Sequence, residues 1–256
     1  MVTSAPGGTI TIAGKTVSRL GFGTMRLTGP GTWGNPPSPA DATAVLREAV
    51  HHGITHIDTA DAYGPHTVEE LVRRAFHPYP DDLLIATKVG LVRPGPNIWW
   101  PLGRPDYLRA AVEASLRRLG TDRIDLCYLH RVDPNVPLSD QIGVLAELQR
   151  EGKIAAVGLS KVTPKQIDEA SRVVSIAAVQ NVLNLDEPHD RAVDYCRSRY
   201  IPYVAYRPLN AGKLTSDGGR DALQWLLSLG DHVVPIPGTS SLSHLHAILH
   251  GATCAA

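Results

Sequence analysis

From Leu20 onward the chain alternates short apolar runs with amphipathic stretches that end in glycine. Before that, Gly8 to Ser18 alternates β-branched and polar residues around Gly14-Lys15, the pattern of a short hairpin. Ser38-Pro39-Ala40-Asp41 predicts an N-cap with proline at the first helical position. Ala42, Val45, Leu46, Ala49 and Val50 continue that helix at i, i+3, i+4 spacing, and Gly53 stops it. Ile54–Ile57 reads as a strand, Thr67-x-x-Glu70 as a capping box opening a helix, and Leu83–Thr87 as a buried strand. The alternation continues through a helix face at Leu108, Ala111, Val112, Leu116 and Leu119 and a strand at Ile124–Leu129. A helix through Ile142, Leu145 and Leu148 precedes strand Ile154–Val157, and a helix capped by Thr163 precedes strand Ala177–Gln180. Helices near 192–198, 222–229 and 243–250 then alternate with strands at Pro202–Tyr206 and Val233–Ile236.

With the apolar run from Leu20 as the first, eight strands, each followed by a helical stretch, imply a parallel sheet with helices outside it. Eight such units in 256 residues predict a (β/α)8 TIM barrel with a short N-terminal β-hairpin, spanning residues 1–256 as one domain. The polar residues support a barrel over an open sheet. Asp58, Lys88, His130, Ser160, Gln180 and Tyr206 all fall at strand ends, and only a closed barrel brings all eight ends to one mouth.

Composition narrows the class. Lysine and arginine number 25 against 25 aspartates and glutamates, which gives no basic footprint for nucleic acid or an anionic membrane. The three cysteines, Cys127, Cys196 and Cys254, are scattered and contain no CxxC, against a disulfide framework or a cysteine zinc site. The longest apolar run, Val173–Val179, is too short to span a bilayer. Met1 to Pro6 lacks the pattern of a signal peptide, so a cytoplasmic location is expected. Neutral charge leaves the oligomeric state open.

Four side chains carry candidate chemistry. Lys88, ending the apolar strand Leu83–Thr87, needs an anion to offset its desolvation, and Asp58 on the neighbouring strand is the natural one. A lysine near the Tyr63 phenol would lower its pKa from the usual ~10 and tune it for proton transfer. His130 could orient a substrate oxygen. The alternative is a structural ion pair with Tyr63 and His130 satisfied elsewhere; four such groups at successive strand ends favour proton transfer at a carbonyl or hydroxyl.

Ile57-Asp-Thr-Ala-Asp-Ala-Tyr-Gly64, Ile85-Ala-Thr-Lys88 and Ile124-Asp-Leu-Cys-Tyr-Leu-His130 resemble signature segments of the aldo-keto reductase superfamily, in its bacterial form. So do Val157–Ser160, Val179–Asn181, Tyr206–Leu209 with Gly212 and Leu214, and Ile236–Ser241, in order along most of the chain. The resemblance implies an NADPH-dependent carbonyl reductase, with NADH a possible substitute, acting on a small-molecule carbonyl substrate. It makes Tyr63 the general acid, Lys88 and Asp58 its tuning pair, and His130 the substrate-orienting group. The cofactor would be held by Gly23, Thr24, Met25, Asp58, Ser160, Lys161, Gln180, Tyr206, Arg207, Pro208, Leu209, Gly212, Leu214, Pro237, Gly238, Thr239, Ser240, Ser241 and His244.

The residues agree in part. Gly21-Phe-Gly23 lacks the third glycine of a dinucleotide fingerprint, whereas Pro237–Ser241 leads into the last helix and suits phosphate at a helix N-terminus. Ser160 and Gln180 can hold a carboxamide, and Tyr206 can stack on the nicotinamide. Met25, Trp33, Trp99 and Trp100 would wall the substrate beside Tyr63 and His130. His51, His52 and His56 straddle a helix end and a strand and are not read as a metal site.

Three departures from the family stand out. Lys161 replaces the usual Asn, and a lysine cannot accept a hydrogen bond. Ala247-Ile248 replaces the polar pair near the adenine, leaving His244 to face a 2′-phosphate. The segment 214–233 is shorter than in the family and no long tail follows His250, which implies a more open pocket. Eroded cofactor contacts leave two other readings: a non-redox isomerase, cyclase or lyase using Tyr63 and Lys88, and a redox-sensing binding module.

Overall fold

A computed structural model describes residues 5–253. Strands β1 (Thr9–Ile12) and β2 (Lys15–Ser18) form the expected antiparallel hairpin. Its turn falls on Ala13-Gly14 rather than Gly14-Lys15, with φ of 51° and 80°, the geometry a two-residue hairpin loop needs. The hairpin is a plug. Lys15 Nζ donates to Leu83 O (2.8 Å) and Ser18 N to Thr55 Oγ1 (2.9 Å), both just before barrel strands, so it closes the N-terminal end. Ile12 and Val17 pack there against the inward-facing Leu84, Ala86, Leu126 and Val204.

The remaining elements, in order, are β3 (Phe22–Gly23), α1 (Pro39–His51), β4 (His56–Asp58), α2 (Thr67–Phe76), β5 (Leu84–Val89), β6 (Leu91–Gly95) and β7 (Ile98–Pro101). Then come α3 (Pro105–Leu119), β8 (Ile124–Leu129), α4 (Leu138–Arg150), β9 (Ile154–Ser160) and α5 (Pro164–Ser171). The last are β10 (Ile176–Val182), α6 (Arg191–Ser198), β11 (Tyr203–Tyr206), α7 (Arg220–Ser228), β12 (Val233–Pro235) and α8 (Leu242–Thr253). The parallel order β3-β4-β5-β8-β9-β10-β11-β12 curls until its edges meet. Gly21 N donates to Pro235 O (3.0 Å) and Gly23 N to Pro237 O (2.9 Å), which closes the barrel. Glycine is required at this seam: a Cβ on Gly238 would lie 2.0 Å from Gly23 O.

Local signals mostly held. Ser38 Oγ accepts from Asp41 N (3.2 Å), and Thr163 forms a reciprocal capping box with Gln166. The capping box expected at Thr67 does not form. Thr67 is already helical, His66 caps in the left-handed region (φ 78°), and Thr67 Oγ1 donates to Gly34 O at 3.3 Å. Tertiary contact with the loop after β3 has taken the hydroxyl. Among the described residues no helix is long and apolar enough to cross a membrane. Cys127 and Cys196 are buried free thiols, and Cys254 lies outside the described residues.

His56 sits inside the barrel, and among the described residues neither ring nitrogen has a hydrogen-bond partner. Burial lowers its pKa to about 4, with Lys88 adding to the effect and Asp58 opposing it. The unfolded chain, at the ordinary ~6.5, therefore binds more protons between these values. Stability is full above pH ~6.5 and is lost as pH falls toward 4, by about 3 kcal/mol from this group. Urea unfolding at pH 7 and 4.5 should show a shallower acid loss for His56→Leu than for the parent; equal losses would contradict this.

Candidate active site

β4, β5 and β8 place Asp58, Lys88 and His130 at the C-terminal mouth, and Tyr63 enters from the loop after β4. That loop turns at Gly64 (φ 93°), where a Cβ would collide with Thr67. All four side chains are buried. Lys88 Nζ pairs with Asp58 Oδ1 and donates to Thr59 O (2.9 Å), with the Tyr63 hydroxyl at 3.4 Å. Gln180 Nε2 donates to the other Asp58 oxygen at 2.7 Å. The buried carboxylate is thus partnered on both oxygens, which is what makes its charge tolerable here.

Burial opposes the Lys88 charge, but Asp58 and then Tyr63 outweigh it and hold the ammonium above its usual range. For Tyr63 the balance runs against the sequence expectation. Burial raises its pKa, and Lys88 lowers it without cancelling the effect, so the phenol stays above its ordinary value. Burial and then Lys88, Arg131 and Arg93 push His130 well below the usual histidine range. At neutral pH the mouth therefore presents an ammonium, a protonated phenol and a neutral imidazole.

Three aromatic rings meet here. Tyr63 and His130 lie edge to face at 6.0 Å, and Trp99 stands 6.5 Å from each. Trp99 and Trp100 lie on β7, which forms an antiparallel hairpin with β6 over the mouth. Successive strand residues face opposite sides, so Trp99 turns inward and Trp100 outward, 59% exposed. Trp33 joins the rim through a bridge to Gly64.

Arg93 holds these loops together and was not visible as a site residue in the sequence. Its guanidinium donates to Gly31 O, Thr32 O, Ala62 O and Ile98 O, each at 2.9 Å, and stacks 3.5 Å from the Trp99 ring. Arg131 was missed likewise. It donates to Ser160 Oγ (3.0 Å) and to His130 O (2.6 Å), 5.7 Å from the Tyr206 ring.

The dinucleotide-binding candidates line the neighbouring strand ends. Ser160, accepting from Arg131, keeps its own proton to donate, and Gln180 Nε2 gives one of its two N–H groups to Asp58. Thr24 is buried and bonds Asp58 O, while Met25 is exposed. Lys161, in the left-handed region, and His244 are exposed. After β11, Pro208 and Leu209 are buried, Leu214 is half-buried, and exposed Arg207 reaches Asn210 Oδ1 at 3.0 Å. Gly212 leaves open space where a Cβ would stand. Pro237–Ser241 runs into the first turn of α8, whose N–H groups lack helical partners. Thr239 is turned in to accept from Ser241 N, Ser240 is exposed, and the Ser241 and Ser243 hydroxyls pair at 2.8 Å. A half-exposed phenol ending β11, a donating hydroxyl ending β9 and the helix N-terminus after β12 suit a nicotinamide nucleotide.

Comparisons with known proteins give the family. The profile of the Aldo/keto reductase family matches residues 19–222. An uncharacterized oxidoreductase of Schizosaccharomyces pombe is 41% identical, over 95% of this chain and 84% of its own length. Pyridoxine 4-dehydrogenase of Escherichia coli is 40% identical, over 93% of this chain and 90% of its own. The solved glycerol dehydrogenase of Gluconobacter oxydans superposes with a TM-score of 0.86 at 26% identity, covering 97% of this chain and 90% of its own. Fold, sequence and the four grouped side chains converge: the chain is an oxidoreductase of the aldo/keto reductase family.

Proposed function

We propose that the protein reduces an aldehyde or ketone to the alcohol with NADPH, Tyr63 donating the proton. The observation that carries this reading is the protonated Tyr63 hydroxyl 3.4 Å from the Lys88 ammonium, across from a neutral His130. NADPH, when bound, supplies the hydride for the carbonyl carbon. The chain does the rest. Lys88, anchored by Asp58, stabilises the charge that develops on the Tyr63 oxygen as its proton leaves. His130, being neutral, can orient the substrate oxygen without competing to protonate it. Trp99 forms one wall, which suits a planar aromatic aldehyde; the 40% identity to pyridoxine 4-dehydrogenase supports aldehydes of the pyridoxal class.

NADPH and NADH oxidation with a panel of aldehydes that includes pyridoxal tests the reading. Stoichiometric oxidation is expected, with about a hundredfold or greater loss in Tyr63→Phe. No binding of either nucleotide at millimolar concentration would defeat it, as would full activity in that variant.

The pH profile follows from the direction of the Tyr63 shift. An acid works while protonated, below its pKa, and here that limit is moved upward. Reduction should stay level through neutrality and decline only above pH ~10, while alcohol oxidation rises with pH. A reduction rate already falling below pH ~9 would contradict this assignment.

A further inference from the structure

Barrel closure lays the first and last helices, α1 and α8, side by side. On their outer face two imidazoles and one carboxylate converge. His52 Nε2 lies 3.0 Å and His246 Nε2 2.9 Å from the same oxygen, Glu48 Oε1. The two rings stand 5.5 Å apart at 72°, and the three donor atoms all lie within 4.8 Å of one another. Among the described residues no lysine or arginine bonds the Glu48 carboxylate.

The histidines near 51–56 look different in three dimensions. His56 points into the barrel, whereas His52 turns outward, one helical turn from Glu48, to meet a residue of the last helix. Donors bound to one tetrahedral metal at about 2.0–2.1 Å would lie roughly 3.3–3.4 Å apart. Two of the present separations, 2.9 and 3.0 Å, are already near that. A pair of imidazoles with one carboxylate suits zinc-class ions and not magnesium or calcium, which prefer all-oxygen sets. All three side chains are partly exposed, so water can complete the shell.

We propose that Glu48, His52 and His246 bind one divalent first-row transition ion of the zinc class, stapling α1 to α8 beside the seam where the barrel closes. None of the three belongs to the catalytic cluster. Binding to the folded state alone raises stability with ion concentration.

The test is calorimetric titration of the tag-free full chain with ZnCl2, paired with thermal unfolding in zinc and in EDTA. One equivalent should bind and the unfolding midpoint should rise. His246→Ala and Glu48→Gln should each retain catalytic activity and weaken binding about tenfold or more. His189→Asn, on an exposed loop, should bind as the parent does, and MgCl2 should give no response. Absence of a saturable single equivalent would overturn the proposal, as would unchanged binding in His246→Ala and His52→Ala.

Discussion

Lys88→Met is expected to lose about 10³-fold or more in carbonyl reduction and to destabilise the barrel by roughly 3–5 kcal/mol. Methionine fills much of the lysine volume, so packing changes little and the loss reports on charge. Without the ammonium, the Asp58 carboxylate stays buried with the Gln180 amide as its one remaining side-chain partner among the described residues, and Thr59 O loses its donor. Breaking a buried pair leaves one charge uncompensated, a larger effect than removing both. Asp58→Asn in the Lys88→Met background should therefore recover much of the stability. It should not recover activity, because the Tyr63 oxygen would still lack the adjacent cation as its proton departs. Denaturant unfolding and steady-state kinetics on the single and double variants separate the two effects. A single variant within tenfold of the parent rate would remove Lys88 from the chemistry.

Arg93→Leu should destabilise by about 2–4 kcal/mol and lower kcat/KM by roughly 10–100-fold. The guanidinium gathers carbonyls from three segments: Gly31 and Thr32 after β3, Ala62 immediately before Tyr63, and Ile98 in β7. Each lost hydrogen bond is worth about 1 kcal/mol net, and water at the rim replaces part of that. Loss of the stack also frees Trp99, the ring 6.5 Å from both Tyr63 and His130. A positioning role predicts that KM rises along with the fall in kcat and that tryptophan fluorescence changes. Arg93→Lys keeps the charge but not the planar fork, and should behave closer to leucine than to arginine. Full rescue by lysine would mean that charge alone matters.

Much of this fold is legible in one dimension because its signals are local. Strand and helix periods repeat within a few residues, and the N-caps at Ser38 and Thr163 involve partners three positions away. The capping box at Thr67 failed where a residue 33 positions earlier competed for the hydroxyl. Pro94, Gly95, Pro96 and Asn97 disguised β6 and β7 as a loop, and so hid the alternation that separates Trp99 from Trp100. Arg93 and Arg131 carry no periodic signature, and an arginine in a loop reads as surface until its acceptors are known.

By itself the sequence determined the eight βα units, the single mouth they share, and the residue types that gather there: a tyrosine, the proposed acid, with a lysine, an aspartate and a histidine. Those depend on pattern and on strand ends, both short-range properties. Only the tertiary structure decided that burial outweighs Lys88 at Tyr63, that Gln180 is engaged with Asp58, and that His52 meets His246. Each of these is a balance of desolvation or contact between segments up to 198 positions apart, brought together when the first and last strands close the barrel.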